Sequence, residues 1–205
     1  YYVPASCANV GNLEIFRVTH GYRSTGVFTE RAFGTSGACE NNARCFPAYD
    51  NTIRSVVMLV SGGSGFCTGA LINNTCNDGT PYVLTANHCG TAGGSWVFRF
   101  NWESPTCTQP GSSPSFVSIT GATPRANSAG SDFDLCQINS AVPAGYNAYF
   151  AGWDRNNTAA VNQYCVHHPD GDIKKISFAT GTATSTTYSG ATVWQTGTWT
   201  DGVTE

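Results

Sequence analysis

Apolar residues in this chain gather in short runs, with Gly, Asn, Asp or Pro between them. Eight runs stand out: Ile53 to Val60, Phe66 to Ile72, Tyr82 to Thr85, Trp96 to Trp102, Phe116 to Ile119, Val161 to Val166, Ile173 to Phe178 and Ala191 to Trp199. Short β-rich runs bounded by turn formers predict the strands of an all-β barrel or sandwich. No window of ten or more residues carries a helical period, and no repeat of fixed length occurs. The stretch Pro105 to Asn127, rich in Pro, Ser, Thr and Gly, is expected to be a long loop between two strand-dense regions.

Composition narrows the class. The 205 residues are 40% hydrophobic and only 11% charged, which suits one or two small packed lobes. A net charge of -3 without any Lys/Arg run argues against a phosphate-tracking surface and a basic membrane face, so neither nucleic acid nor membrane is an expected partner. No stretch approaches the roughly 18 apolar residues of a membrane span, and the start, Tyr1 to Ser6, lacks the regions of a signal peptide. The chain therefore reads as soluble and already processed. Residues 1–36 hold Cys7 but no obvious chemistry, and are expected to be an N-terminal extension or a precursor remnant.

Nine cysteines in a Gly-, Ser-, Thr- and Asn-rich chain point to an oxidising compartment. Metal binding is the other reading of so many thiols. The closest pair is Cys39 and Cys45, and no Cys-x-x-Cys or His-x-x-x-His occurs, so disulfides are expected and metal ligation is not. No Asp/Asn loop has calcium-ligand spacing, and no cofactor is expected. An odd count leaves one cysteine free or bonded outside the 205 residues.

The stretch Leu84-Thr85-Ala86-Asn87-His88-Cys89 carries the candidate chemistry. Cys67, about twenty residues earlier, could be stapled to Cys89 and so fix the loop that holds His88. A general base needs such fixation, because its nitrogen must sit about 3 Å from the proton it removes. A carboxylate must then hold the other ring nitrogen and stabilise the imidazolium. Ser131-Asp132-Phe133-Asp134-Leu135 supplies two candidates. In a strand, Asp132 and Asp134 would share one face, so alternation cannot choose between them.

Five blocks in order, Cys67-Thr68-Gly69-Ala70-Leu71-Ile72-Asn73-Asn74, Leu84 to Cys89, Ser131 to Leu135, Ala151-Gly152-Trp153-Asp154-Arg155 and Val166-His167-His168-Pro169, resemble the bacterial lysyl endopeptidases. These are a secreted branch of the chymotrypsin-like (trypsin-like) serine proteases. The resemblance runs from about Gly37 to Glu205. It implies an all-β chymotrypsin-like fold of two six-stranded barrels: a first lobe over residues 37–140, and an incomplete second lobe over 141–205. By motif position it puts the catalytic base on His88 and its orienting aspartate on Asp132. Asp134 stands where the family has an uncharged residue and remains the alternative.

The nucleophile has no match. Gly-x-Ser-Gly occurs at Gly34-Thr35-Ser36-Gly37 and Gly62-Gly63-Ser64-Gly65, but both precede His88, whereas chains of this family run His, Asp, Ser. Gly202-Val203-Thr204-Glu205 resembles the residues just before the family's Gly-Ser-Ser-Gly-type block. The nucleophile serine is therefore expected on a segment following Glu205, carried by a C-terminal fragment of the same precursor that acts as partner. The resemblance further implies bridges Cys67 to Cys89 and Cys45 to Cys107, with Cys39 bonded to a cysteine outside this chain. Cys7, Cys76, Cys136 and Cys165 then remain for two further bridges that the sequence cannot pair.

The resemblance implies a secreted bacterial endopeptidase that acts through an acyl-enzyme on protein or peptide substrates, after lysine or another basic residue. Only two of ten cationic residues are lysines, Lys174 and Lys175, which accords with lysine specificity but equally with drift. Tyr188 lies roughly where the family places a tryptophan beside the substrate groove, where an aromatic wall would cover an alkyl stem. A packed strand tyrosine is the other reading of it. His167 and His168 are expected to be structural, Trp153 to pack at a loop between the barrels, and His20 has no assigned partner. The rival class is a catalytically inactive homologue serving as a binding or adhesion module.

Overall fold

The computed structural model describes residues 33–204. Expectations about Cys7, His20 and most of the 1–36 segment lie outside the described residues. The elements are β1 (Asn41–Asn42), the short helix α1 (Asp50–Ser55), β2 (Val56–Ser61), β3 (Ser64–Ile72), β4 (Tyr82–Thr85), β5 (Val97–Phe100), β6 (Val117–Thr120), β7 (Ala122–Ser128), β8 (Phe133–Ile138), β9 (Tyr164–His167), β10 (Lys175–Thr180), β11 (Thr184–Tyr188), β12 (Ala191–Gln195) and β13 (Thr198–Asp201).

Antiparallel ladders join seven of these strands in the order β6-β5-β2-β3-β4-β8-β7. The two end strands are consecutive in the chain and separated by Gly121 alone. Its φ of +92° is open to glycine at no steric cost, and its N–H donates to the Trp96 carbonyl at 2.8 Å. β6 and β7 thus act as one strand bent at Gly121, half paired with β5 and half with β8. The sheet closes into a six-stranded barrel and keeps no free edge.

Alternation fills the barrel. Val57 and Leu59 from β2, Leu71 from β3, Val83 from β4, Phe98 and Phe100 from β5 and Ile138 from β8 form one buried cluster. Gly69 is needed where β3 crosses β4, because a Cβ there would lie 2.7 Å from Val83 Cγ1. β2 reads as an unbroken apolar run because its other face is covered too: Met58 and Val60 pack with Trp102 and Ile173.

The second sheet is built differently. β10 is central, with β9 along one side and both β1 and β13 along the other. Val166 and Ile176 face α1 and join Ala43, Ile53 and Val56 in a second apolar cluster. The opposite face is polar yet buried, carrying Glu40, Asn42, His167, Lys175 and Ser177. β11 and β12 form a separate exposed hairpin. β1 belongs to this second sheet although it lies within residues 37–140.

Three expectations need correction. Ile53 to Ser55, placed in a strand, close α1, which at six residues is too short to show a period. The Pro105 to Asn127 loop narrows to the residues before β6, because β6 and most of β7 form inside it. Cys136 and Cys165 do not serve further bridges; both are free thiols. Cys136 points into the barrel core, where burial pushes its thiol up to about 12, and Cys165 sits on β9 of the other sheet. Cys76 is disulfide-bonded, and its partner lies outside the described residues. The bridges Cys45 to Cys107 and Cys67 to Cys89 are formed.

Candidate active site

β4 and β8 are neighbours, paired from Tyr82 with Gln137 to Thr85 with Asp134. The chain leaving β4 and the chain entering β8 therefore meet at the same barrel rim. After Thr85 and Ala86, a single 3-10 turn, Asn87–Cys89, carries His88, and the Cys67 bridge holds the end of that turn to β3. The Thr85 hydroxyl donates to the Thr68 carbonyl at 2.8 Å, fixing the start of the turn as well.

Asp132 closes the turn between β7 and β8, with a left-handed φ of +50° that Asp tolerates. That conformation breaks strand alternation and swings Asp132 away from Asp134. Asp132 Oδ2 lies 2.7 Å from His88 Nδ1, and Oδ1 accepts the His88 backbone N–H at 2.9 Å. One carboxylate thereby grips both ring and backbone. With Nδ1–H donating to it, the basic lone pair of the neutral imidazole falls on Nε2. The side chains are 39% and 26% exposed, so the pair opens at the surface.

Asp134 faces the other way. It is 1% exposed, no donor meets either carboxyl oxygen in good hydrogen-bond geometry although the Ala92 backbone N–H lies close enough to favour the charged form, and burial outweighs that and raises its pKa. Position and solvation both separate it from His88. Of the other singled-out residues, the Ser36 hydroxyl donates to buried Asp172, and Ser64 sits exposed opposite Ser61 in the β2–β3 hairpin. Tyr188 ends β11, half exposed, and pairs with Ala191. Trp153 donates its indole N–H to the Asn73 carbonyl at 3.0 Å while remaining partly exposed. Cys39 is exposed and makes no disulfide among the described residues. The sulfurs of Cys67 and Cys89 lie near His88, but being joined to each other they are not available as thiolate ligands.

His167 and His168 are both buried. Burial works against a charged His167, but Cys165 and Glu40 beside it outweigh that and raise it to about 9. His168 is driven well down, first by burial and then by the Lys174 charge, so it is neutral. Its Nδ1 lies 2.9 Å from the Asp172 carbonyl and donates to it. Two residues passed over by the sequence reading are Thr85, whose hydroxyl donates to the Thr68 carbonyl and braces the His88 turn, and Thr68, whose own hydroxyl accepts the His168 N–H. Only their adjacency to Cys67 and Ala86 hinted at this.

A six-stranded antiparallel barrel whose rim holds an imidazole bonded through Nδ1 to an aspartate, followed by a second β-sheet, is an all-β chymotrypsin-like arrangement. The family model for the lysyl endopeptidase C-terminal domain matches residues 33–205. The chain belongs to the lysyl endopeptidase family. It is 32% identical over 192 residues to a lysyl endopeptidase of Pseudomonas aeruginosa, a match covering 84% of this chain and 41% of that relative. The chain thus spans about two fifths of the length of that relative. Among the described residues, no helix is long and apolar enough to cross a membrane.

Proposed function

We propose that this chain forms the base-bearing part of a secreted bacterial serine endopeptidase. His88 takes the serine proton during attack and returns it to the leaving amine, giving an acyl-enzyme that water resolves. Asp132 fixes the tautomer and stabilises the imidazolium. The serine comes from a segment following Glu205, carried either in a longer chain or on a companion fragment, to which Cys39 is bonded. The observation that carries this reading is the two-point grip of Asp132 on the His88 ring and backbone. An inactive binding module would have no use for an imidazole held in one tautomer at the surface.

The test is Asp132→Asn in the full-length protein, which inverts the hydrogen-bonding demand on Nδ1. Turnover of a peptide substrate should fall on the order of 10⁴-fold. An unchanged turnover number overturns the assignment.

Cleavage after lysine is favoured by where the chain keeps its own basic residues. Lys174 and Lys175, the only lysines, are 0% and 3% exposed, whereas Arg44, Arg125 and Arg155 are exposed. A protease cutting after arginine would meet targets on its own surface; one cutting after lysine meets none among the described residues. Two bridges beside free surface loops accord with an oxidising, extracellular setting.

A further inference from the structure

We propose that Thr68 is a positioning residue for His88, holding the turn that carries the base in register with the second lobe. The inference rests on the reading of His88 as the base and of the nucleophile as a group supplied from the second-lobe side.

Thr68 lies in β3 and is bonded in two directions. Its carbonyl accepts the Thr85 hydroxyl at 2.8 Å, and the same hydroxyl lies 3.6 Å from Cys89 Sγ. Its chain neighbour Cys67 is bridged to Cys89. The backbone of Cys67 and Thr68 therefore braces the His88 turn at both ends. The Thr68 side chain points the other way: its Oγ1 accepts the backbone N–H of His168 at 2.9 Å, across a separation of 100 residues.

The receiving side is stiff. The His168 ring is buried, stacked on Trp102 at 6.1 Å with the planes 17° apart, and it donates from Nδ1 to the Asp172 carbonyl. The Asp172 carboxylate is buried in turn and accepts the backbone N–H groups of Gly34, Ser36 and Ile173. A fixed frame, made of second-lobe residues 168–173 together with Trp102 and the backbone of Gly34 and Ser36, thus ends at one N–H, and the acceptor for that N–H is the Thr68 hydroxyl. Acyl transfer needs base and nucleophile within about 3 Å, and misplacement by 1 Å can cost a hundredfold in rate. If the two groups stand on different lobes, the bond that sets the lobes against each other near His88 sets that distance.

Thr68→Val keeps the shape and removes the acceptor; Thr68→Ser keeps the acceptor. In the full-length protein, assayed on a lysyl peptide substrate well below the melting midpoint, Thr68→Val should lower kcat at least tenfold with KM within twofold, and Thr68→Ser should restore kcat to within threefold. A purely structural role would lower the melting midpoint and leave kcat alone, and that result overturns the proposal. Should Thr68→Val fail to fold, Thr85→Val, which cuts the same path on the His88 side, must show the kcat loss instead, and a normal kcat there overturns it equally. Asp132→Asn run in parallel separates the two ideas. Loss of turnover there with a normal Thr68→Val refutes the positioning role alone, whereas retained turnover in Asp132→Asn refutes the reading of His88 on which it rests.

Discussion

The closed barrel and the four-stranded sheet bury their side chains by opposite means. The barrel hides an apolar interior in which Asp134 is a poorly satisfied polar exception, and its strands leave no edge exposed. The β10 sheet keeps open edges, is apolar toward α1 only, and on its other face buries one lysine and one histidine with their partners: Lys175 bonded to Asn42 and Gln109, and His167 set against Glu40. Stability is accordingly nearly indifferent to pH in the first and dependent on it in the second. An apolar core owes nothing to protonation, while a buried polar face holds together only in one charge state.

The largest expected effect comes from the barrel. Phe98→Ala should cost about 3–5 kcal/mol in urea unfolding by opening a cavity at a fully buried site. Thr186→Ala, on the exposed β11, should stay within about 0.5 kcal/mol. Equal costs would erase the contrast between the barrel core and the exposed hairpin, which belongs to neither sheet.

A smaller effect belongs to His167. Its folded pKa of about 9 exceeds the ordinary 6.5 because Cys165 and Glu40 overcome the burial that opposes its charge. Folding then favours the protonated ring, so this share of stability is fully present below about pH 6.5 and is lost as pH rises through about 9. Unfolding curves at pH 6, 7.5 and 9.5 should show the decline, and His167→Gln should flatten it. A decline that persists in His167→Gln would place its source elsewhere.

The smallest effect sharpens the exception inside the barrel. Burial raises the Asp134 pKa, so its ionisation opposes folding, beginning near the ordinary carboxylate value of about 4 and growing as pH rises through the folded value. Asp134→Asn should leave stability unchanged at pH 3 and raise it modestly at pH 7, read from the same urea curves. A loss at pH 7 would mean that the carboxylate has a partner and belongs with the polar groups of the other sheet.

Much of the barrel was legible because its strands obey simple rules. β4 and β5 fall inside expected runs and β3 overruns its own only by Ser64 and Gly65, since half-buried strands alternate and buried ones are continuous. β7 was hidden because it lies mostly outside the core, with Pro124 and Arg125 at a break in its register, so its sequence reads as loop. At the candidate site, the residues alone raised His88 and narrowed its carboxylate to Asp132 or Asp134, and only the family resemblance chose Asp132. Alternation tied Asp132 to Asp134, and what separates them is one left-handed residue that no apolar pattern encodes. The bracing by Thr68 was illegible for a different reason: its partner His168 lies 100 positions away, and a hydroxyl accepting a backbone N–H leaves no compositional trace.

The His88–Asp132 contact spans 44 residues and lies wholly within the barrel, whereas Lys175 reaches back 133 residues to Asn42 to seat β1 beside β10. As a ribosome delivers the chain from its N-terminus, the imidazole and its carboxylate can pair long before the strand that β1 awaits has been made. The imidazole and its carboxylate are thus set against each other before the sheet that takes in β1 can be completed.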